Sequence, residues 1–216
     1  MKKLDLKGTL TGSILAFVIW FGSGKLALAS LAVFFVLGTL ASSWGKKKKY
    51  ALKLAQENDG KRGIMNVLAN GGAAGIISIL AIAFPDHQHI FAIMAASSFS
   101  AACSDTLSSE LGNVYGKKYF NIVTLKNTTR GLDGGVSIQG FLFGAVGSAS
   151  IGALTILFSL AWSSFAIVAI SGFIGNVIDS VLGATLQQKG KLSNHGVNFW
   201  ATVSAATLSL IVLSIF

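Results

Sequence analysis

Seven apolar stretches, at 8–23, 25–44, 64–84, 89–111, 136–158, 164–187 and 197–216, are each about as long as a helix must be to cross a hydrocarbon core. A water-soluble fold cannot hide that much continuous apolar surface. Backbone N–H and C=O groups in lipid must be satisfied within the protein, and for runs of this length the helix does so within each segment. The chain therefore reads as all-α, a polytopic transmembrane helix bundle of about seven spans. Charged residues are 12% of the 216, about half the usual share of a soluble domain. One Pro against 25 Gly is the balance of unbroken helices that approach one another closely.

The basic residues orient the bundle, because Lys and Arg accumulate in cytoplasmic loops. With the N-terminus inside, the cytoplasmic set is Lys2, Lys3 and Lys7, then Lys46 to Lys49, Lys53, Lys61 and Arg62, then Lys117, Lys118, Lys126 and Arg130, then Lys189 and Lys191. Only Lys25 remains outside. A cytoplasmic N-terminus follows, and the net charge of +9 becomes a collar at one face that attracts anionic lipid rather than nucleic acid. No Ala-x-Ala-like site follows the first apolar run, so that span is expected to persist.

A single domain over 1–216 is expected: an N-terminal helical hairpin at 1–44, a basic cytoplasmic loop at 45–63, and a core bundle at 64–216. The hairpin turns on Gly22-Ser23-Gly24-Lys25, and its first span is short enough to tilt or insert partly. In the basic loop, Tyr50, Leu52, Leu54 and Ala55 among lysines read either as a short interfacial helix or as a solvated linker. Lone Cys103, within an apolar stretch, reads as a small buried hydrophobe. His87 and His89, in a turn with only Asp86 nearby, do not make a metal site.

A carboxylate in a spanning helix is disfavoured by roughly 2.5–3.5 kcal/mol at the centre, so each one is a functional candidate. Three stand out: Asp105, Glu110 and Asp179, all in the cytoplasmic halves of their spans. Ser97, Ala101, Asp105, Ser108, Ser109 and Gly112 form a small, polar stripe at helical spacing, and Gly172, Gly175, Asn176, Asp179, Ser180, Gly183 and Gln187 form another. The two stripes are expected to face each other. Glu110 lies about 140° around the axis from Asp105, so both would reach one ligand only if the helix loosened near Gly112. Facing carboxylates repel unless a proton or cation intervenes, and Mg²⁺ suits such a site because it retains waters and bridges carboxylates to phosphates. An interhelical hydrogen-bond clamp is the other reading of the same residues. Asn66 and Asn70, one turn apart, fit either a ligand or a helix contact. The segment from Lys126-Asn127-Thr128-Thr129-Arg130 to Gly131-Leu132-Asp133-Gly134-Gly135-Val136-Ser137 is basic, hydroxylated and glycine-rich, and it runs into a helix. Such a loop presents N–H groups to phosphate, although no Gly-Lys-Ser/Thr closes it as a Walker loop would.

Five motifs occur in order: Arg62 through Asn66-Val67-Leu68-Ala69-Asn70-Gly71; Ser104-Asp105-Thr106 with Ser109-Glu110-Leu111-Gly112; Gly131-x-x-Gly134-Gly135-Val136-Ser137; Asp179-Ser180-Val181-Leu182-Gly183 through Gln187; and Leu192-x-Asn194 with Asn198. On these, over 62–198, the chain resembles the integral membrane family that includes plant phytyl-phosphate kinase, and more distantly the CTP-dependent dolichol and phytol kinases. The resemblance implies a membrane-embedded transferase that moves a phosphoryl group from a nucleoside triphosphate, CTP above others, to an isoprenoid (prenyl) monophosphate. It also implies that Asp105 and Glu110 hold Mg²⁺, that Lys126, Arg130 and the 131–135 loop bind phosphate, and that Asp179 with Asn194 completes the metal or nucleotide site. Asn66, Asn70, Ser109, Gly131, Gly134, Gly135, Ser137, Gln187 and Asn198 join the expected nucleotide-binding set.

Two other readings stay open. A transporter or lipid-translocating protein would carry polar groups at the midplane. Cytidylyl transfer to an anionic lipid would use the same nucleotide and metal. The expected partners are a prenyl phosphate or membrane lipid and a nucleotide; homo-oligomer formation is left open. The expected location is the membrane, the plasma membrane in a prokaryote, with the active face cytoplasmic.

Overall fold

The computed structural model describes residues 5–52 and 63–215. Eight α-helices follow in order: α1 (Leu6–Gly22), α2 (Gly24–Ser43), α3 (Lys46–Ala51), α4 (Ile64–Ala83), α5 (Gln88–Tyr115), α6 (Ile138–Leu157), α7 (Trp162–Leu182) and α8 (Asn194–Ile215). Two short strands, β1 (Phe120–Asn121) and β2 (Gly135–Val136), pair antiparallel in the α5–α6 connection. Six of the helices are long and apolar enough to cross a membrane. The remaining apolar helix, α1, has 17 residues, so it is only about 26 Å long and falls short of the core thickness. The expected seven spans are thus six full ones and a short one. The short interfacial helix is present as α3, whereas Leu54 and Ala55 lie outside the described residues.

The bundle is organised around α5. Its twelve consecutive residues 93–104 are all buried, and apart from Ile93, Met94 and Phe99 they are Ala, Ser and Cys. A helix buried on every side must be surrounded by helices, and small side chains let those neighbours come close. α2, α4, α6, α7 and α8 all pack on α5. Glycines on the partners complete the fit. A Cβ on Gly175 of α7 would lie 2.6 Å from Ala101 Cβ and 3.1 Å from Ala201 O, and one on Gly147 of α6 would lie 2.9 Å from Cys103 O.

The first hairpin is not a closed pair. A single residue, Ser23, separates α1 from α2, and its hydroxyl meets that of Ser78 at 2.8 Å inside the bundle. From that apex α1 runs parallel along α4, with Leu15 against Gly71 and Gly75, while α2 lies on α5, where Phe34 stacks on Phe99 at 6.2 Å. α1 packs more extensively on α4 than on α2.

Replacing Gly175 by Val should push α7 away from α5 and α8, because the new side chain has no volume to enter. Overpacking of this kind destabilises by about 1–3 kcal/mol. Thermal unfolding of the purified variant in detergent should show a lowered Tm; an unchanged Tm would contradict the close α5–α7–α8 contact.

Candidate functional site

Among the described residues, the charged side chains other than Lys25 and Asp86 are gathered at one end. Asp105 is seventeen residues into α5 and Asp179 seventeen residues into α7. At 1.5 Å per residue both sit about 26 Å from the far end of their helix, at the edge of a hydrocarbon core rather than its middle. There a carboxylate meets water and ions, and insertion is opposed much less than at the centre.

At this end a polar cavity of about 300 Å³ opens where α5 and α7 finish and α4, α6 and α8 begin. Each helix contributes from its nearest turn. Asn66 and Asn70 are the third and seventh residues of α4, and Asn194 and Asn198 the first and fifth of α8. From α5 come Asp105, Ser109 and Glu110, and from the α7 end come Asn176, Asp179 and Gln187. The 131–137 loop adds Gly131, Asp133, Gly134, Gly135 and Ser137, with Gly140 behind it. The two polar stripes read from sequence do face each other across this space.

First turns carry unsatisfied N–H groups and the positive ends of helix dipoles. Three such turns, from α4, α6 and α8, border the cavity, which favours an anion. Asp105, Asp133 and Asp179 favour a cation, and the Asp179 carboxylate is within electrostatic reach of both of the others. No Lys or Arg is among the described residues lining the cavity. An anionic ligand there would gain its counter-charge from an accompanying metal ion and from backbone dipoles.

The loop is built to stay in place. Gly134 has φ +69° and lies so close to Ala184 that a side chain would collide with it. Ala184 belongs to a π-helical turn, Gly183–Gln187, that widens the end of α7; such turns recur at functional sites. Gln188 Nε2 donates to Asp133 O at 2.6 Å. Burial pushes the Asp133 carboxyl above the ordinary carboxylate range, and a hydrogen bond from the Gln187 side chain pulls it back. On the other flank Tyr119 donates to Gly112 O at 2.7 Å. Burial pushes its phenol above the usual value while Arg130, which stacks over the ring at 5.3 Å, pulls it down. Ser137 caps α6 by accepting from Gly140 N at 3.1 Å.

Asn176 is 1% exposed, and its Nδ2 and the buried Ser104 Oγ have no partner among the described residues. Both lie beside Gly144, where a Cβ would come 2.6 Å from Asn176 Nδ2. The Asn198 amide is satisfied when its nitrogen donates to Asn194 O at 3.0 Å and to Asp179 Oδ2 at 3.2 Å. Asn70 Nδ2 donates back to Asn66 O at 2.9 Å.

Thirteen of the fifteen candidates read from sequence line this cavity; the two that do not are Lys126 and Arg130. Arg130 donates to Gly116 O at 2.8 Å, tying the loop to the end of α5, and Lys126 is exposed on the β1 side. Glu110 lines the cavity with Asp105 without any loosening of its helix. α5 does not loosen at Gly112; it continues to Tyr115, and Gly112 packs on Gly140. Glu110 borders the cavity near Asp105 and also reaches the corner between α2 and α3, where Lys49 forms a buried ion pair with it. Lys49 is 5% exposed and also donates to Ala41 O at 3.0 Å, so it is no part of a solvated collar. Lys48 donates to Val114 O, Trp44 Nε1 donates to Tyr115 Oη at 2.7 Å, and Gly45 makes the turn with φ +63°. Among the described residues no group of three or more His, Cys, Asp or Glu is arranged to hold a metal by itself. The carboxylate pair Asp105 and Asp179, with amide and hydroxyl neighbours, still suits Mg²⁺, which takes one or two carboxylates and completes its shell with water and phosphate oxygens.

Sequence reasoning missed Asp133, hidden among glycines that suit any turn, and Tyr119. An acidic residue inside a Gly-rich loop that precedes a helix is the signal that could have raised Asp133.

The model of the family described as "Integral membrane protein DUF92" matches residues 1–206. Among curated proteins, an uncharacterised membrane protein of Methanocaldococcus jannaschii is 36% identical over 97% of this chain and 85% of its own length. One of Synechocystis sp. is 33% identical over 91% and 78%. "Protein VTE6, chloroplastic" of Arabidopsis thaliana is 28% identical over 99% of this chain and 66% of its own. No solved structure matches.

The Lys49–Glu110 pair gives a measurable expectation. Removing one partner of a buried pair destabilises by about 3–5 kcal/mol, whereas replacing both by apolar residues is often near neutral. Lys49→Met should lower the Tm sharply and Lys49→Met with Glu110→Met should recover most of it. Additive losses in the double variant would contradict the pairing.

Proposed function

Because the chain belongs to the DUF92 family of integral membrane proteins, we propose that it is a prenyl-phosphate kinase-like phosphotransferase. The donor is a nucleoside triphosphate, CTP by the motif resemblance, and the acceptor a prenyl monophosphate held in the membrane. An oxygen of the acceptor phosphate attacks the γ-phosphorus. The bond from that phosphorus to the oxygen bridging it to the β-phosphate breaks, and prenyl diphosphate and nucleoside diphosphate leave. The acceptor is already anionic near neutral pH, so no strong base is needed.

One observation carries this reading: a polar cavity at the end of an apolar bundle joins facing carboxylates to three helix first turns, with no basic side chain among its described lining residues. Phosphoryl transfer asks for positioning and charge neutralisation more than for covalent chemistry. The first turns of α6 and α8 and the 131–135 loop bind and orient phosphate oxygens. Asn66, Asn176 and Asn194 fix the ligand by donating amide hydrogens. Asp105 and Asp179 would hold Mg²⁺, which supplies charge neutralisation between the phosphates when bound. Asp133 stands within reach of Asp179 and adds to the cation-attracting field.

The cavity's end is proposed to be cytoplasmic. Of the described basic residues, only Lys25 sits at the opposite end of the bundle. Polar groups at one rim, rather than at the midplane with access from both sides, favour an enzyme over a transporter.

Purified protein with Mg²⁺ should convert a C15 or C20 prenyl monophosphate to its diphosphate, fastest with CTP among CTP, ATP, GTP and UTP, as read by product mass. Asp105→Asn should reduce turnover by about a hundredfold or more, and EDTA should abolish it. Absence of turnover with every nucleotide would sink the proposal, and release of diphosphate would point to cytidylyl transfer instead.

A further inference from the structure

A second, smaller cavity of about 60 Å³ adjoins the first and differs from it in character. It lies between the legs of the first hairpin, walled by Leu15 of α1, Leu31, Phe34 and Phe35 of α2, Val67 of α4 and Phe99 of α5. Asn66 and Asn70 border both cavities. One pair of asparagines thus has a polar, acidic chamber on one side and an apolar groove on the other.

The hairpin's geometry explains the groove. Its apex is pinned by the Ser23–Ser78 contact, α1 follows α4, and α2 follows α5, so the legs diverge toward the end that carries the polar cavity. Protein interiors are normally close-packed, yet a Cβ on Gly12 would meet nothing within 4 Å. Phe35, at the other lip, is 38% exposed. The groove therefore opens sideways between Gly12 and Phe35, where a membrane-spanning bundle meets lipid.

We propose that this groove receives the first part of the acceptor's hydrocarbon tail, making the α1–α2 hairpin the tail-binding element of the protein. This rests on the reading that the acceptor is a phosphate with a tail. Its phosphate lies on the Asn66–Asn70 side that faces Asp105, and the carbons nearest it pass alongside the asparagines, which border both spaces, into the apolar one. The groove holds only a short run of carbons, so the rest of the tail leaves between the two legs into the bilayer. Chain length beyond the first isoprene units is then read weakly, and the presence of a tail strongly.

The test uses the full-length protein in nanodiscs. Gly12→Leu places a side chain in open space on a helix, so the fold should be retained, which an unchanged Tm and elution profile would verify. KM for a C20 prenyl monophosphate should rise about tenfold or more, while turnover of methyl monophosphate, whose single carbon does not reach the groove, stays within about twofold of the parent. An equal effect on both acceptors, or none on either, would overturn the proposal. A second measurement does not depend on turnover: a long-chain alkyl monophosphate carrying a diazirine three carbons from its phosphate should label peptides containing Gly12, Leu31 or Val67, with labelling suppressed by Gly12→Leu. Labelling confined to α6, α7 or α8 would overturn the tail site. If neither acceptor is turned over but the probe labels the hairpin, the phosphotransfer reading fails and the tail groove stands.

Discussion

Close packing around α5 is the constraint on which the rest of the structure depends. A bilayer gives no hydrophobic reward for bringing helices together, since lipid is as apolar as leucine, so association relies on van der Waals contact and on interhelical hydrogen bonds. The buried run at 93–104, mostly Ala and Ser, supplies the contact surface, and Gly147, Gly172 and Gly175 let α6 and α7 approach it. Because five helices close on one axis, their ends converge, and side chains far apart in sequence share one rim. Asp105 and Asp179 meet there because they stand at equal depth on adjacent helices.

That convergence creates an electrostatic problem that function can use. Carboxylates gathered at the edge of an apolar body repel one another and attract cations, while helix first turns beside them attract anions. A metal-bound nucleotide satisfies both demands. The Lys49–Glu110 pair sets a cation beside one further carboxylate at that rim and anchors the α2–α3 corner to the end of α5. Arg130 does comparable work on the loop, where it braces Gly116 and Tyr119.

The spans and most of the cavity rim were legible in the sequence because polar groups are rare in spanning helices, and helical spacing alone aligns them. Asn66 with Asn70 and Asp105 with Ser109 are separated by one turn, so their side was readable without knowing the fold. What depended on juxtaposition was not. Lys49 reads as one of a run of four lysines, and nothing local says that it enters the bundle while Lys47 stays exposed. Asp133 reads as a turn residue until the π-helical end of α7 is found against it. The hairpin's divergence was equally hidden, because a one-residue connection suggests two helices packed on each other, whereas each leg follows a different neighbour.

The central claim is that the rim between α4, α5, α6, α7 and α8 binds a nucleotide with its metal. A structure of the full-length protein with Mg²⁺ and a CTP analogue whose β,γ-bridge cannot be cleaved addresses this most directly. The account requires density for the phosphates against the 131–137 loop and the first turns of α6 and α8, with the metal on Asp105 and Asp179. Phosphate density outside the cavity, on Lys126 or on the exposed lysines of α3, would contradict it.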